Sequence, residues 1–589
     1  MRAQSAERAE AARRSDEARG VTLATFPEGA RHILAAWVAI GFCLVGVGAF
    51  ARRLLGRRAA SADDWLEGFW IGFASVLAAL QLWQLCFPID QRIVFVVACT
   101  GVLGVLVEGT APWRLVAHGL RRHAIAVTGL TVATAWFALQ ALGGPRNGDS
   151  GLYHVPTITW HLAHRLPPGL GNLAAPFAYN QSFFLWAALL ERGPLPGRGT
   201  HVGNTLLVVA LLARVCLGLS RLVRRRRCTP ADAVYGALLP GVLLVGRDIN
   251  LTSPSPDIAV YTLGIVLAVE FLRFLTEGRR FADLAALAVL VACAPPLKLS
   301  LGGLAATTAI VAGIAWLRSS PHGTGIGRAA AVLGAIALVG PGVWMLRGVV
   351  VSGYPLYPAT LFGTGVDWAV PYDTVVAEAK LIRYWNGVEG WWTMLWRDPG
   401  WLVRWLPTLD WLRADVLVPL GIAAAALLAG GVQTAMRPRS ARALPAIVVL
   451  PTLGSIAYCI AAAPRARYGA SAYWVLAVES LWLALPASVL EAGHTRARRI
   501  VAVLALVLAA VFLQRADGLP LVPELRDFEP HVRGTATPYT LPSGLVVNDP
   551  GPGMQCWEAA LPCSPFHNDA LRLRRPDDLA SGFTVAPMR

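Results

Sequence analysis

The chain has 589 residues, 55% hydrophobic and 15% charged, with a mean hydropathy of +0.52. Soluble domains usually carry about 25% charged residues, and a bilayer core about 30 Å thick takes roughly 20 apolar residues per helix. About 14 such stretches exclude a soluble enzyme, a disordered chain and a single-anchor receptor, and the +16 formal charge falls in short Arg clusters between them, which suits loop sorting at a membrane better than nucleic-acid binding.

Residues 1–32 read as a polar, mixed-charge tail with no cleavable signal peptide. Apolar runs follow at about 33–51, 65–87, 92–110, 123–142, 201–221, 232–247, 257–275, 282–297, 300–317, 329–350, 414–431, 443–462, 470–490 and 499–514. The expectation is an all-α polytopic membrane protein of about 13–14 transmembrane helices in residues 33–514. Alternating the connections puts 21 clustered arginines on one side, against Arg92, Lys298, Arg465 and Arg467 in the short connections of the other. By the positive-inside rule the first side is cytoplasmic. Residues 143–200, 351–413 and the tail 515–589 then lie outside the cytoplasm. The N-terminal tail falls there too despite its six arginines, so the run 33–51 could instead be re-entrant.

Loops of about 60 residues are uncommon in compact proteins unless functional. The first, 143–200, carries GGPRNGDSGLYH just past a span, and HVPTITWHLAHRL has helical spacing until Pro167-Pro168-Gly169 breaks it. Asp149 is the only acid between Glu108 and Glu191. A carboxylate at the mouth of a helical bundle can act as a general base if a partly desolvated cleft raises its pKa; the plainer alternative is a helix N-cap. His154, His161 and His164 lie on one helical face, and with Asp149 could hold a divalent metal, although the spacing matches no metal signature and ordinary loop histidines explain it more simply. Tyr153, Trp160 and Tyr179 are aromatic surfaces for a sugar, or ordinary loop packing.

Further along, SPSPD places Asp257 at the start of a span, where a helix N-terminus favours an acid. Lys298 follows Pro295-Pro296 and is one of two lysines in an arginine-using chain. The second loop, 351–413, is rich in Trp, and its segment 389–412 could lie as an amphipathic helix in the interface. Arg383 in LIRYW, and Arg465 and Arg467 in PRARYG, add cations on the face of Asp149 and Lys298. Together they could hold a phosphate or diphosphate; taken singly, each is explained by snorkelling. In the tail, QCWEAALPC brings Cys556 and Cys563 close enough for a small disulfide loop, with two free thiols as the alternative.

Taken together, GDSGLYHVPTITW, PPGLGNL, YNQSFF, SPSPD, SGYPLYPATLFGTGVDW, PRARYG, QCWEAALPC and SGF resemble a bacterial many-span branch of the GT-C superfamily of integral-membrane glycosyltransferases, from about residue 140 to the C-terminus. The resemblance implies a polyprenyl-phosphate-sugar donor, a glycan, lipid or protein acceptor, and inverting transfer at the extracytoplasmic face of a bacterial cytoplasmic membrane. Asp149 carries over as the catalytic acid of the first loop. Many members have two neighbouring acids there, whereas here Ser150 follows Asp149. The expected substrate contacts are Tyr153, His154, Asp257, Lys298, Arg383, Arg465 and Arg467.

Other readings are a transporter or flippase for lipid-linked sugars, which calls for an inverted repeat not evident in the sequence, a glycan ligase resting more on Arg and His, and a non-catalytic assembly scaffold. No nucleic acid is expected as a partner.

Overall fold

A computed structural model describes residues 27–59, 61–109, 121–224, 228–319, 325–384, 414–434, 444–463, 465–491, 494–516, 518–529 and 532–585. In chain order its helices are α1 (Glu28–Leu54), α2 (Ala62–Cys86), α3 (Gln91–Glu108), α4 (Ala124–Gln140), α5 (Val155–Ala163), α6 (Phe183–Arg192), α7 (Gly203–Val223), α8 (Pro230–Ala237), α9 (Leu239–Val245) and α10 (Asp257–Glu277). They continue with α11 (Phe281–Leu297), α12 (Gly302–Ser319), α13 (Ile326–Ala337), α14 (Val343–Ser352), α15 (Tyr372–Tyr384), α16 (Ala414–Thr434), α17 (Leu450–Ala462), α18 (Ala470–Ala484) and α19 (Thr495–Arg515). Among the described residues eight helical stretches are long and apolar enough to cross a membrane, with α4, α11 and parts of α16 to α18 as shorter apolar helices. The chain is therefore a mostly helical, multi-pass membrane protein. The Trp-rich segment 389–412 and the side chain of Arg383 lie outside the described residues.

Local chemistry sets several boundaries. Ser61 and Asp64 form a reciprocal capping box that starts α2, and Thr229 caps α8 with Pro230 in its first turn. Pro341 sits in a wide π turn, Leu338–Gly342, between α13 and α14, where a missing N–H interrupts the α-helical ladder. Glycines set the crossing of α1, α2 and α3: a Cβ on Gly72 would meet the Leu44 carbonyl, and one on Gly46 the Gly101 carbonyl. Close backbone approach through small residues is how helices associate where lipid removes the hydrophobic drive.

Helix α10 is the central staff of the bundle, with 89% of its apolar window buried, against 17% for α3, whose apolar surface faces outward. Near the C-terminal end of α10 several arginines and acids form ion pairs. Arg57 meets Glu67 (2.6 Å) and Asp283 (3.4 Å), Arg221 bridges Asp63 (2.7 Å) and Asp232 (2.8 Å), and Arg273 pairs with Glu270 (2.8 Å). The N-terminal end of α10 carries the first loop. Buried Arg347 of α14 clasps that loop to α2, donating to Asn180 Oδ1 (3.2 Å), Gln84 Oε1 (2.6 Å) and the Gln81 carbonyl (3.4 Å).

The strands lie in the C-terminal segment: β1 (Thr537–Thr540) pairs antiparallel with β2 (Val546–Asp549), and β3 (Leu571–Leu573) with β4 (Phe583–Val585). This segment is folded against the first loop rather than trailing from the bundle. Trp160, Leu170, Leu173 and Phe177 of the loop share a small core with Leu541, Val547, Leu571 and Phe583. It also reaches the second loop, where Arg574 pairs with Asp367 (2.9 Å) and lies over the Trp368 ring.

Candidate functional site

Asp149 sits at the end of a tethered loop. The backbone N–H groups of Arg146 and Asn147 donate to Ser253 Oγ (3.1 Å each), and Asn147 Nδ2 donates to Asn250 Oδ1 (2.5 Å). Asn204, fully buried, donates to the carbonyls of Asn250, Ser253 and Ser255. Ser253 and the Asn147–Asn250 pair thus tie the Asp149 loop to the turn leading into Asp257, a turn that Asn204 holds from α7.

The side chain of Asp149 does not cap the helical turn that follows it, and among the described residues it has no hydrogen-bond partner. It is half-buried. Burial pushes its carboxyl above the ordinary aspartate range and Asp257 adds to this, while Arg467 and Lys298 oppose. The N-cap alternative is thereby removed, and what remains is a partly desolvated carboxylate with free oxygens, the state required of a general base.

Asp257 opens α10 and forms an ion pair with Lys298. Lys298 stands in extended backbone between α11 and a short 3-10 turn, where Pro295 and Pro296 end the helix, and the Pro296 carbonyl accepts from Ser182 N (2.9 Å). The ring of Tyr468 lies beneath two cations, 4.9 Å from Lys298 Nζ and 4.9 Å from the Arg467 guanidinium, and Arg467 also meets the Tyr468 hydroxyl at 3.0 Å. Burial alone would lower the pKa of Arg467, but Tyr468, Asp257 and Asp149 outweigh it, so the guanidinium is held charged. A small cleft of about 10 Å³ opens here, lined by Asp257, Val260, Tyr261, Ser300, Arg467, Tyr468 and Ser471. Among the described residues Ser300 Oγ has no hydrogen-bond partner.

Residues far apart in the chain, Asp149, Asp257, Lys298 and Arg467, are thus brought into electrostatic range of one another. Tyr153 joins them: burial raises its phenol pKa well above the ordinary value, and the charges of Asp149 and Asp257 add to that. Its ring meets Tyr179 and Phe184 edge-on, and the Tyr179 hydroxyl bonds to buried Glu378 of α15. His154 is instead a core imidazole, buried against Phe184 and pushed down to about 3 by burial. His161 is likewise buried and neutral, and His164 leans on Trp160. Among the described residues no three His, Cys, Asp or Glu side chains group as metal ligands. Arg465 stands half-buried before the Ala466–Gly469 turn and is not among the residues lining the cleft.

Tyr468 and Glu378 were not singled out from the sequence. Tyr468 adjoins Arg467 in PRARYG, and an aromatic beside a cation at a span mouth is the available signal. Glu378 is an acid in the mixed helix α15, without a distinguishing neighbour in sequence. Cys556 and Cys563 are disulfide-bonded, and the loop they close touches the Asp149 turn through Trp557, whose N–H donates to the Gly151 carbonyl at 3.0 Å. No curated protein and no solved structure matches the chain. The model of the family described as "Domain of unknown function (DUF8201)" matches residues 32–474 of the 589, and the chain belongs to that family.

Proposed function

We propose that the protein is a GT-C-like membrane glycosyltransferase that moves a sugar from a polyprenyl-phosphate donor to a glycan, lipid or protein acceptor, with inversion, at the extracytoplasmic face of a bacterial cytoplasmic membrane. The observation that carries the reading is the half-buried Asp149 carboxylate, unbonded among the described residues, in range of a cation-bearing cleft. Asp149 takes the proton of the acceptor hydroxyl as its oxygen attacks the anomeric carbon. The bond from that carbon to the phosphate oxygen breaks, and the leaving phosphate keeps the electron pair. Arg467 stabilises that developing charge, a task for which a guanidinium outside an acid pair is suited. Lys298 is already paired with Asp257, so its share is smaller and depends on that pair opening.

The test compares the surface-glycan mass profile of source cells carrying the intact protein, its deletion, or Asp149→Asn at equal protein level. Loss of the same sugar unit in the deletion and in Asp149→Asn supports the transferase and names the donor sugar. A wild-type glycan in Asp149→Asn, with a changed one in the deletion, would put the flippase or ligase reading ahead.

A further inference from the structure

The turn that follows Asp149 is wide. Ser150–His154 runs in π register, so Val155 N–H is committed to the Ser150 carbonyl, five residues back, rather than to Gly151. In the same register the Gly151 carbonyl would look to residue 156, which is Pro156 and has no N–H. That carbonyl is thereby left without a donor from its own helix. Trp557 supplies one from the other end of the chain, at 3.0 Å. The Trp557 indole and the Gln555 carboxamide also fill the space a side chain at Gly151 would take.

Trp557 adopts a left-handed backbone, φ 46°, which is unusual for a bulky residue, and it directly follows Cys556 in the disulfide-closed loop. Gly534 packs against the Cys556 carbonyl from outside, again with no room for a Cβ. The loop is thus held in a form that presents both the N–H and the indole to one turn, two residues from Asp149.

We propose that Trp557, on the loop closed by Cys556 and Cys563, is a positioning residue for Asp149, holding the following turn in π register and so keeping the carboxylate in the field of Arg467 and Lys298. Without that donor, the Gly151 carbonyl regains Val155 N–H in α register. Each residue of register is about 100° around a helix axis, enough to turn Asp149 away from Arg467. The C-terminal segment then acts on the site through hydrogen-bond register. This rests on Asp149 being the working carboxylate, as read above.

The test follows Asp149 itself. Dicyclohexylcarbodiimide modifies protonated carboxyls, so the pH midpoint of labelling at Asp149, read by peptide mass in the full chain in micelles, reports its titration in the field of Asp257, Lys298, Arg467 and Tyr153. Trp557→Pro, which removes the backbone donor, and wild type with the disulfide reduced, are expected to drop the midpoint toward about 3.9, the value of an unburied aspartate. Trp557→Phe should keep it high. Pro156→Ala gives the Gly151 carbonyl a donor within its own helix and should make the midpoint insensitive to reduction. An unchanged midpoint in both Trp557→Pro and the reduced protein overturns the proposal. The readout needs no sugar transfer, so failure here leaves the transferase reading standing, and failure of that reading leaves the midpoint shift standing.

Discussion

Asp149 ties the pH dependence of activity to that of folding, with opposite signs. A general base works ionised, so transfer should fall as pH drops through a midpoint above the ordinary aspartate range, because burial raises the carboxyl. For folding, a raised carboxyl favours the native state below its unfolded pKa, and that contribution is lost as pH rises through the folded value. Asp149→Asn should therefore cost roughly 10²–10⁴ in transfer rate while leaving thermal stability near neutral pH equal or higher. Parallel loss of rate and stability would argue against a desolvated base. The Asp257–Lys298 pair makes a second residue-scale prediction. Removing one partner leaves the other in a partly buried site, so Lys298→Met or Asp257→Asn should each destabilise by roughly 2 kcal/mol. The double variant should recover part of that in thermal unfolding. Asp149, Asp257, Lys298 and Arg467 were each readable as candidates, since an ionisable group at a span mouth stands out against apolar surroundings. Their convergence was not, because the links between them (Asn147 to Asn250, Asn204 to Ser253 and Ser255) join neutral residues with no distinctive pattern.

Helices here are positioned by small residues and interrupted by prolines, and both effects make testable differences. Gly72 lies where a Cβ would strike the Leu44 carbonyl, whereas Gly41 has open space around it. Gly72→Leu should cost about 1–3 kcal/mol by forcing α1 and α2 apart, and Gly41→Ala should be neutral, both read as thermal unfolding in the same detergent. A gain in both, which is what helix propensity alone would give, would mean that the crossing does not govern the effect. The apolar runs marked these helices well because hydropathy over some 20 residues is a local quantity. The π turns were not marked: one carries a Pro, and the other, Ser150–His154, has a carbonyl bonded to a donor some 400 residues away in sequence.

Across the whole molecule, the two ends of α10 differ in chemistry: paired arginines and acids at one end, the cleft and both loops at the other. If the cleft faces outward, Arg146→Cys should react with a membrane-impermeant maleimide in intact cells. Arg279→Cys, exposed beside the ionic network, should react only after permeabilisation. The reverse pattern would invert the orientation and rule out an extracytoplasmic site. The C-terminal segment was legible only as a polar tail with two cysteines, yet it is folded onto both loops. Its residues, such as Phe583 against Trp160 and Arg574 on Asp367, find partners too distant in sequence for any window to connect.

The sequence by itself determined that the chain is a multi-pass helical membrane protein, because bilayer thickness and backbone hydrogen bonding leave an apolar run of this length little choice but a helix. It also determined which few ionisable residues stand at the span mouths. The tertiary structure alone decided that Asp149, Asp257, Lys298 and Arg467 share one region, that His154 and His161 are core residues, and that Trp557 meets Gly151. The reason is physical: periodicity and hydropathy act over a few turns, whereas a site is made by packing and hydrogen bonds between segments hundreds of residues apart.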